Sequence, residues 1–522
     1  MSTEVRQLPE GSGLSWPAVS SWGALSRQAR GNRFIQGAIQ MNSNHDHQHT
    51  PNRFAVIPTH VRLNADPRYK GKGVTLAFLD SGFYPHPDLL LPNNRVIAYK
   101  DLTDERPSLD LIQSPEPWQW HGTQTSVAAA GSGHLCDAVY RGLACEADLV
   151  LVKVSEKGRI TEENIALGIR WIIEHRERYN IRVLNISLGG DEDVPCSKSI
   201  IDQAAEDAIG HGIVVVAAAG NSGADGRHSI PPANSPSVVT VGGYTDNNEL
   251  ERNRLDLYHS NYGATADGSV KPEIVAPAMW IAAPILPETT DYELAEALSK
   301  IAAAPDYQLP ALARELSEKI ELPTALALKG APAIRAFVES ALSERKIVSA
   351  HYQHVDGTSF AAPIVTSIVA QMIEANPQLT PGAIKNILIS TAGRISHAPA
   401  IRQGYGVVNA RLAVELAKAE KHALKAVGCS PPRVTDGHLV FVYHDDEANT
   451  VSLAASFNGW DVQKTPLSQN DQGLWLAEID APAPGQYEYK FVVNGQRWIE
   501  DPSNGRKVPD NHGGLNSVIT IE

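Results

Sequence analysis

From about residue 73, short apolar runs alternate with stretches of helical period. Val74 to Leu79, Leu149 to Val154, Val183 to Ser187, Ile213 to Ala218 and Val238 to Val241 are rich in β-branched residues and bounded by glycine or polar residues. Continuous apolar runs of this length predict strands buried on both faces, as in a parallel sheet. Between them, Thr161 to Tyr179 sets Ile165, Ile169, Ile172 and Ile173 on one helical face. Strand and helix in alternation predict an α/β fold built on a doubly wound parallel sheet. Ligand sites in such sheets lie beyond the carboxyl ends of the strands. Asp80 stands at one such end.

Residues 285–350 break the rhythm. Leu294, Leu298 and Ile301, then Leu309, Leu312, Leu316 and Ile320, then Ile334, Phe337, Val338 and Leu342 each have helical spacing. Pro305, Pro310, Pro323 and Pro332 separate them, so three amphipathic helices are predicted as an insertion. A further helix runs from Ala410 to about Val427, and Cys429-Ser430-Pro431-Pro432 reads as a linker. Beyond it, His438 to His444, Thr450 to Ser456, Leu474 to Ile479 and Tyr487 to Val493 read as strands of a small all-β, immunoglobulin-like sandwich. Residues 1–55 are polar and irregular, with His45, His47 and His49 clustered, and read as a flexible arm, the sharper alternative being a regulatory or processed segment. The expected units are the arm (1–55), a catalytic domain (56–428) containing the insertion, and a C-terminal module (433–522).

At 522 residues, the chain exceeds one ordinary core. Its 43% hydrophobic and 20% charged residues describe a soluble globular protein. The 45 Lys and Arg against 59 Asp and Glu give a net charge of −14, which argues against a nucleic-acid partner. No apolar run approaches the roughly 20 residues needed to span a bilayer. The opening Met1-Ser2-Thr3-Glu4-Val5-Arg6 offers no apolar core for a secretion signal. Cys136, Cys145, Cys196 and Cys429 lack metal-site spacing and are too sparse for a disulfide framework. A cytoplasmic protein with no membrane or nucleic-acid partner is expected.

Three distant segments carry the chemistry: Leu79-Asp80-Ser81-Gly82, His121-Gly122-Thr123, and Gly357-Thr358-Ser359-Phe360-Ala361-Ala362-Pro363. A serine hydroxyl needs a base to take its proton as it attacks. His121 is the candidate base, Asp80 its orienting carboxylate and Ser359 the nucleophile, in the chain order Asp, His, Ser. Pro363 is expected in the first turn of the helix that follows Ser359. Ser359 would then sit at a helix N-terminus, where free N–H groups favour developing negative charge. Asn221, in Ala217-Ala218-Ala219-Gly220-Asn221-Ser222-Gly223 after a predicted strand, offers a second oxyanion donor through its amide.

These segments, with Asn185-Ile186-Ser187-Leu188-Gly189-Gly190, Lys271-Pro272-Glu273-Ile274-Val275-Ala276-Pro277 and Gly404-Tyr405-Gly406-Val407-Val408-Asn409, resemble the subtilisin-like serine proteases over residues 56–425. The resemblance implies a peptide or protein substrate held as an extended strand beside Ser187, Leu188 and Gly189. It implies a specificity pocket walled by that segment and by Ala218, Ala219, Gly220 and Asn221, with a floor from the loop up to about Ile230. Gln124, Cys145 and Ala278 depart from the usual family residues. The family's long folding pro-domain is not expected in residues 1–55, which are too short for it. Intracellular members use a short N-terminal segment as an inhibitor, which residues 1–55 would match in kind. The chemistry requires no cofactor. Calcium binds many members of the family, but its usual loop is not recognisable here, and no metal ligand is assigned.

The C-terminal segment reads Ser456-Phe457-Asn458-Gly459-Trp460, then Gly485-Gln486-Tyr487-Glu488-Tyr489-Lys490-Phe491, then Arg497-Trp498-Ile499-Glu500-Asp501-Pro502, and ends near Leu515-Asn516-Ser517. It resembles the glycogen-binding module of the AMP-activated protein kinase β subunit and of glucan-branching enzymes. The resemblance implies that Trp460 and Trp498 stack on glucose rings while Lys490 and Asn516 hydrogen-bond sugar hydroxyls. A flat aromatic face suits the apolar face of a pyranose. The expected function is therefore a serine endopeptidase tethered to or regulated by α-glucan, glycogen or starch-like. The alternative is a glucan-anchored scaffold whose protease domain is latent or cuts only itself.

Overall fold

Seven apolar segments become one sheet: β1 (Thr75–Asp80), β2 (Val96–Asp101), β3 (Asp148–Lys153), β4 (Ile181–Ile186), β5 (Val214–Ala218), β6 (Val239–Thr245) and β7 (Ile274–Pro277). The computed structural model describes residues 56–522 apart from 104–108, 110–111, 191–193, 224–227, 252–253, 420–430, 436, 446–447, 470–473, 511, 513 and 522. The arm at 1–55, the end of the helix expected to reach Val427, and Cys429 of the linker lie outside the described residues. These seven strands run in the order β7-β6-β5-β4-β1-β3-β2, each parallel to the next, and a short eighth strand, Asp256–Leu257, lies antiparallel beside β6. The chain winds one way from β1 to β2 and the other way from β4 to β7, so β1 lies at the switch point, where ligand clefts form. β2 and β7 were not expected as strands.

Helices α1 (Trp120–Ala130), α2 (Glu162–Tyr179), α3 (Ile200–Gly210), α4 (Thr358–Ala375) and α5 (Pro381–Thr391) cover the sheet. Side chains alternate along β1, so Leu76 and Phe78 join the core with α1, α4 and α5, while Ala77 and Leu79 pack with Ile165, Ile169 and Ile172 of α2. Thr161 caps α2 by accepting the Asn164 N–H at 3.2 Å, and Glu162 and Glu163 sit in its first turn, where acidic groups suit the helix dipole.

The insertion contains helices at Thr290–Ala303, Leu309–Glu315 and Ala331–Glu344, plus an unexpected short one at Thr324–Ala327. Pro310 and Pro332 lie inside first turns rather than between helices, because the first helical positions need no N–H donor. Ile285, Leu298, Ile301, Leu309, Ile334 and Val338 give the insertion its own core. Short antiparallel strands frame it: Ile281–Pro284 pairs with Tyr352–Val355, which also pairs with Ile347–Ser349. The chain leaves Val355 directly toward Gly357 and Ser359.

The C-terminal strands form two facing sheets. One orders Arg433–Thr435, His438–His444, Leu474–Asp480 and Ser468–Gln469; the other orders Val451–Ala455, Gly485–Val493, Leu515–Ile521 and Lys507–Pro509, with Arg497–Ile499 beside Gly485–Val493. Phe441, Tyr443, Leu453, Tyr489 and Phe491 fill the space between them. This sandwich touches the start of α5, where Thr380 Oγ1 donates to Pro502 O at 3.3 Å. Gly382 permits the approach, since a Cβ there would lie 2.3 Å from Pro502 O.

Candidate active site

Asp80 ends β1 and is 1% exposed. Its Oδ1 accepts from His121 Nδ1 at 2.8 Å and from Ser81 N–H at 2.7 Å, and its Oδ2 accepts from Thr125 Oγ1 at 3.2 Å. A carboxylate held this way fixes the imidazole tautomer with the proton on Nδ1, leaving Nε2 as an acceptor. Burial works against a charged His121, but the charge of Asp80 and its hydrogen bond outweigh it, so the imidazole pKa lies above its ordinary value. Gly122 makes the α1–β1 contact possible, because a Cβ there would stand 2.2 Å from Gly82 O and 3.0 Å from the Asp80 Cβ.

Ser359 is the second residue of α4, and the His121 ring lies 6.2 Å from that of neighbouring Phe360. Ser359 Oγ donates to Ser187 O at 3.4 Å, longer than an ordinary hydroxyl bond, and makes no hydrogen bond to His121. Pro363 lies in the second turn of α4 and not the first, because the helix starts at Thr358. Gly357 precedes it with φ +141°, a conformation open to glycine, and its N–H reaches Ala278 O at 2.7 Å.

Asn221 follows β5. Its Oδ1 accepts from Thr358 N–H at 2.9 Å and from Thr358 Oγ1 at 3.0 Å. A backbone N–H can only donate, so the amide orientation is fixed with Nδ2 turned the other way. Among the described residues, neither Asn221 Nδ2 nor the Ser359 N–H has a partner. Thr358 Oγ1 also accepts from Gly220 N–H at 3.1 Å, and Gly220 holds φ +99°. Thr358 was not expected to have a role. Its signal is spatial, since Asn221 lies 137 residues away.

Ser187 is buried beside Ser359, and Leu188 and Gly189 continue from it half-exposed. The backbone groups of Leu188 and Gly189 have no partner among the described residues, whereas the next N–H, of Gly190, donates to Pro231 O at 2.9 Å. A Cβ on Gly189 would meet Pro231 O at 2.5 Å. Ala218 is half-buried and Ala219 buried, its N–H held by Val241 O at 3.0 Å. Segments 187–189 and 218–221 thus converge on Thr358 and Ser359. Part of the expected pocket floor, residues 224–227, is outside the described residues. Gln124 is buried and donates to Pro284 O at 2.9 Å, tying α1 to the base of the insertion. Among the described residues no group of three His, Cys, Asp or Glu side chains could hold a metal ion.

The sequence profile of the subtilase family matches residues 71–407. The chain belongs to the subtilase family. Over 354 residues it is 31% identical to the serine protease AprX of Bacillus subtilis strain 168, a match covering 66% of each protein. Over 188 residues it is 33% identical to the major intracellular serine protease of the same organism, covering 35% of this chain and 54% of that one. The match thus spans just under two thirds of the first relative and about half of the second. A crystal structure of fervidolysin from Fervidobacterium pennivorans, described as a keratinolytic enzyme related to subtilisin, aligns with 86% of this chain and 58% of that one at 18% identity, with a TM-score of 0.47. Residues 426–505 match carbohydrate-binding module 48, the isoamylase N-terminal domain.

In that second unit, Tyr489, Phe491 and Val493 point into the sandwich core, so Glu488, Lys490 and Val492 face outward. Trp498 pairs with Val492 and is 45% exposed. Its ring lies 6.5 Å from that of Trp460, tilted by 36°. Lys490 and Asn516, expected to hydrogen-bond sugar hydroxyls, are buried and already have protein partners. Lys490 Nζ is paired with Asp510, and Asn516 Nδ2 donates to Glu488 at 2.7 Å. The reason is that a cation and an amide between sheet strands need acceptors of their own, and two carboxylates supply them. Asp510 is held low, at about 2, by its hydrogen bond to Lys490.

Proposed function

We propose that this chain is a serine endopeptidase and that its C-terminal module binds α-glucan. The observation that carries the first half is the fixed amide of Asn221. It leaves Asn221 Nδ2 without a partner among the described residues at the start of α4, where the Ser359 N–H is also unpaired, and His121 is held by the buried Asp80. An extended peptide adds a strand along the unpaired edge of Leu188 and Gly189. For attack, Ser359 Oγ exchanges its long bond to Ser187 O for one to His121 Nε2; catalytic hydrogen bonds are often long before substrate binds. Ser359 Oγ attacks the carbonyl carbon as its proton passes to Nε2. The carbonyl electron pair moves to oxygen, which the two donors stabilise. Asp80 stabilises the imidazolium without taking the proton. Nε2–H then protonates the leaving amine, the C–N bond breaks, and an ester forms on Ser359. Water, deprotonated by His121, repeats the sequence and releases the acid.

The glucan half rests on the paired, partly exposed rings of Trp460 and Trp498 on the outer sheet face. Such a platform covers the apolar face of sugar rings. Casein hydrolysis by wild type beside Ser359→Ala tests the first half: loss in the variant is expected, and equal rates refute it. Glycogen co-sedimentation of wild type beside the Trp460→Ala, Trp498→Ala double variant tests the second. Loss is expected, and retained sedimentation refutes the platform.

A further inference from the structure

Pro363 lies four residues beyond Ser359 in α4. In a regular helix the N–H at that position would donate to the Ser359 carbonyl, and proline has none. The carbonyl of the reactive residue is therefore left without its helix donor. A different group takes it: Ser187 Oγ, just beyond β4, donates to Ser359 O at 3.0 Å. The direction of that bond is certain, because a carbonyl only accepts. The Ser187 oxygen is then free to accept, and Asn185 Nδ2 donates to it at 3.1 Å. This turns the Asn185 carbonyl to Thr366 Oγ1, which donates to it at 3.0 Å. Asn185 and Thr366 are fully buried.

Thr366 lies seven residues after Ser359, two turns along the same face of α4. The end of β4 thus grips α4 twice, at Thr366 and at the Ser359 carbonyl, through one chain of three hydrogen bonds. The same Ser187 starts the segment along which a substrate strand would lie. Its hydroxyl is already committed, so it is not offered to substrate.

We infer that the Ser187 hydroxyl is a positioning residue for the nucleophile. It replaces the backbone donor that Pro363 lacks. It thereby locks the Ser359 backbone to the substrate-binding segment and sets Ser359 Oγ and N–H relative to His121 and Asn221. The inference rests on the reading of Ser359 as nucleophile.

The test is a rescue. Ser187→Ala, Pro363→Ala and the double variant are compared with wild type for kcat and KM on a chromogenic peptide. Ser187→Ala is expected to lower kcat about tenfold with KM within about twofold, since the loss is one of geometry at the reacting centre. Pro363→Ala alone stays within about threefold of wild type. In the double variant, the new N–H at 363 reaches the Ser359 carbonyl, and kcat recovers to within about threefold of wild type. A double variant no faster than Ser187→Ala overturns the inference, as does a loss confined to KM. Should Ser187→Ala fail to fold, the isosteric pair Ser187→Thr and Ser187→Val carries the same test. Threonine is expected to keep turnover and valine to lose it, and equal turnover overturns the inference. A wild type with no Ser359-dependent turnover would instead overturn the underlying reading of Ser359, and the inference with it.

Discussion

Asn221→Ala removes two things at once. It deletes the Nδ2 donor proposed for the oxyanion, and it deletes the acceptor of Thr358 N–H and Oγ1. The first loss acts on the transition state, where negative charge gathers on the substrate oxygen. Losing one such donor costs about 100- to 1000-fold in turnover, or about 2.7–4 kcal/mol, a figure whose reference case is subtilisin, itself a relative of this chain. The second loss acts on the folded state, since an unpaired amide at the start of α4 costs about 1–3 kcal/mol if it stays dry. Asn221→Asp separates them. It keeps an acceptor for Thr358 but puts a carboxylate oxygen where the donor was. Steady-state kinetics on a chromogenic peptide read the outcome. Both variants should lose at least about 100-fold in kcat with KM within about threefold. A rise in KM at unchanged kcat would refute the reasoning, as would a kcat loss below tenfold in either variant.

The His121 base must be neutral to accept a proton, and its pKa is raised. The acid limb of kcat/KM should therefore lie above the ordinary imidazole value of about 6.5, with activity falling as pH drops through it. In Asp80→Asn the charge that raises the pKa is gone and burial still lowers it, so the limb of the residual activity should move to lower pH; a limb that stays in place refutes the pairing. Glu273, buried on β6's flank, accepts from Lys271 Nζ at 2.6 Å and Lys385 Nζ at 2.7 Å on one oxygen, and from Thr240 N–H at 2.8 Å on the other. Burial alone would raise its pKa, but the two lysines hold it low, and burial pushes Lys271 down to about 8. Glu273→Gln leaves two buried ammonium groups without a counter-charge and should cost about 3–5 kcal/mol of stability, read from urea unfolding; a loss under 1 kcal/mol would show that the cluster is not a buried ion pair in solution.

The parallel strands were legible because burial on both faces leaves short, continuous β-branched runs. β2 escaped because it is an edge strand, half-buried, with Tyr99 and Lys100 breaking the apolar run. β7 escaped because Pro272 stands just before it, Pro277 ends it, and its residues read as a motif. The strands framing the insertion are three or four residues long, and the insertion separates one from its partner. At the site, the positions of Asp80, His121 and Ser359 follow from local text, since Asp80 ends a strand and His121 and Ser359 lie in the first turns of helices. Thr358 and the Ser187 hydroxyl do not, because each acts on a group more than 130 residues away. Local text does not show that α4 starts at Thr358, so neither the second-turn position of Pro363 nor the missing donor at the Ser359 carbonyl is legible in the sequence. Lys490 and Asn516 follow from the resemblance to the glycogen-binding module, position by position. Such a match does not show which carboxylates reach them from neighbouring segments, so the contacts of Asp510 and Glu488 are legible only in the structure.

The central claim is that Ser359 is an activated nucleophile in an open cleft. Intact mass after treatment with a fluorophosphonate tests it, wild type beside Ser359→Ala. One adduct on wild type and none on the variant is the predicted result. An unmodified wild type, or an adduct that persists in Ser359→Ala, would contradict it.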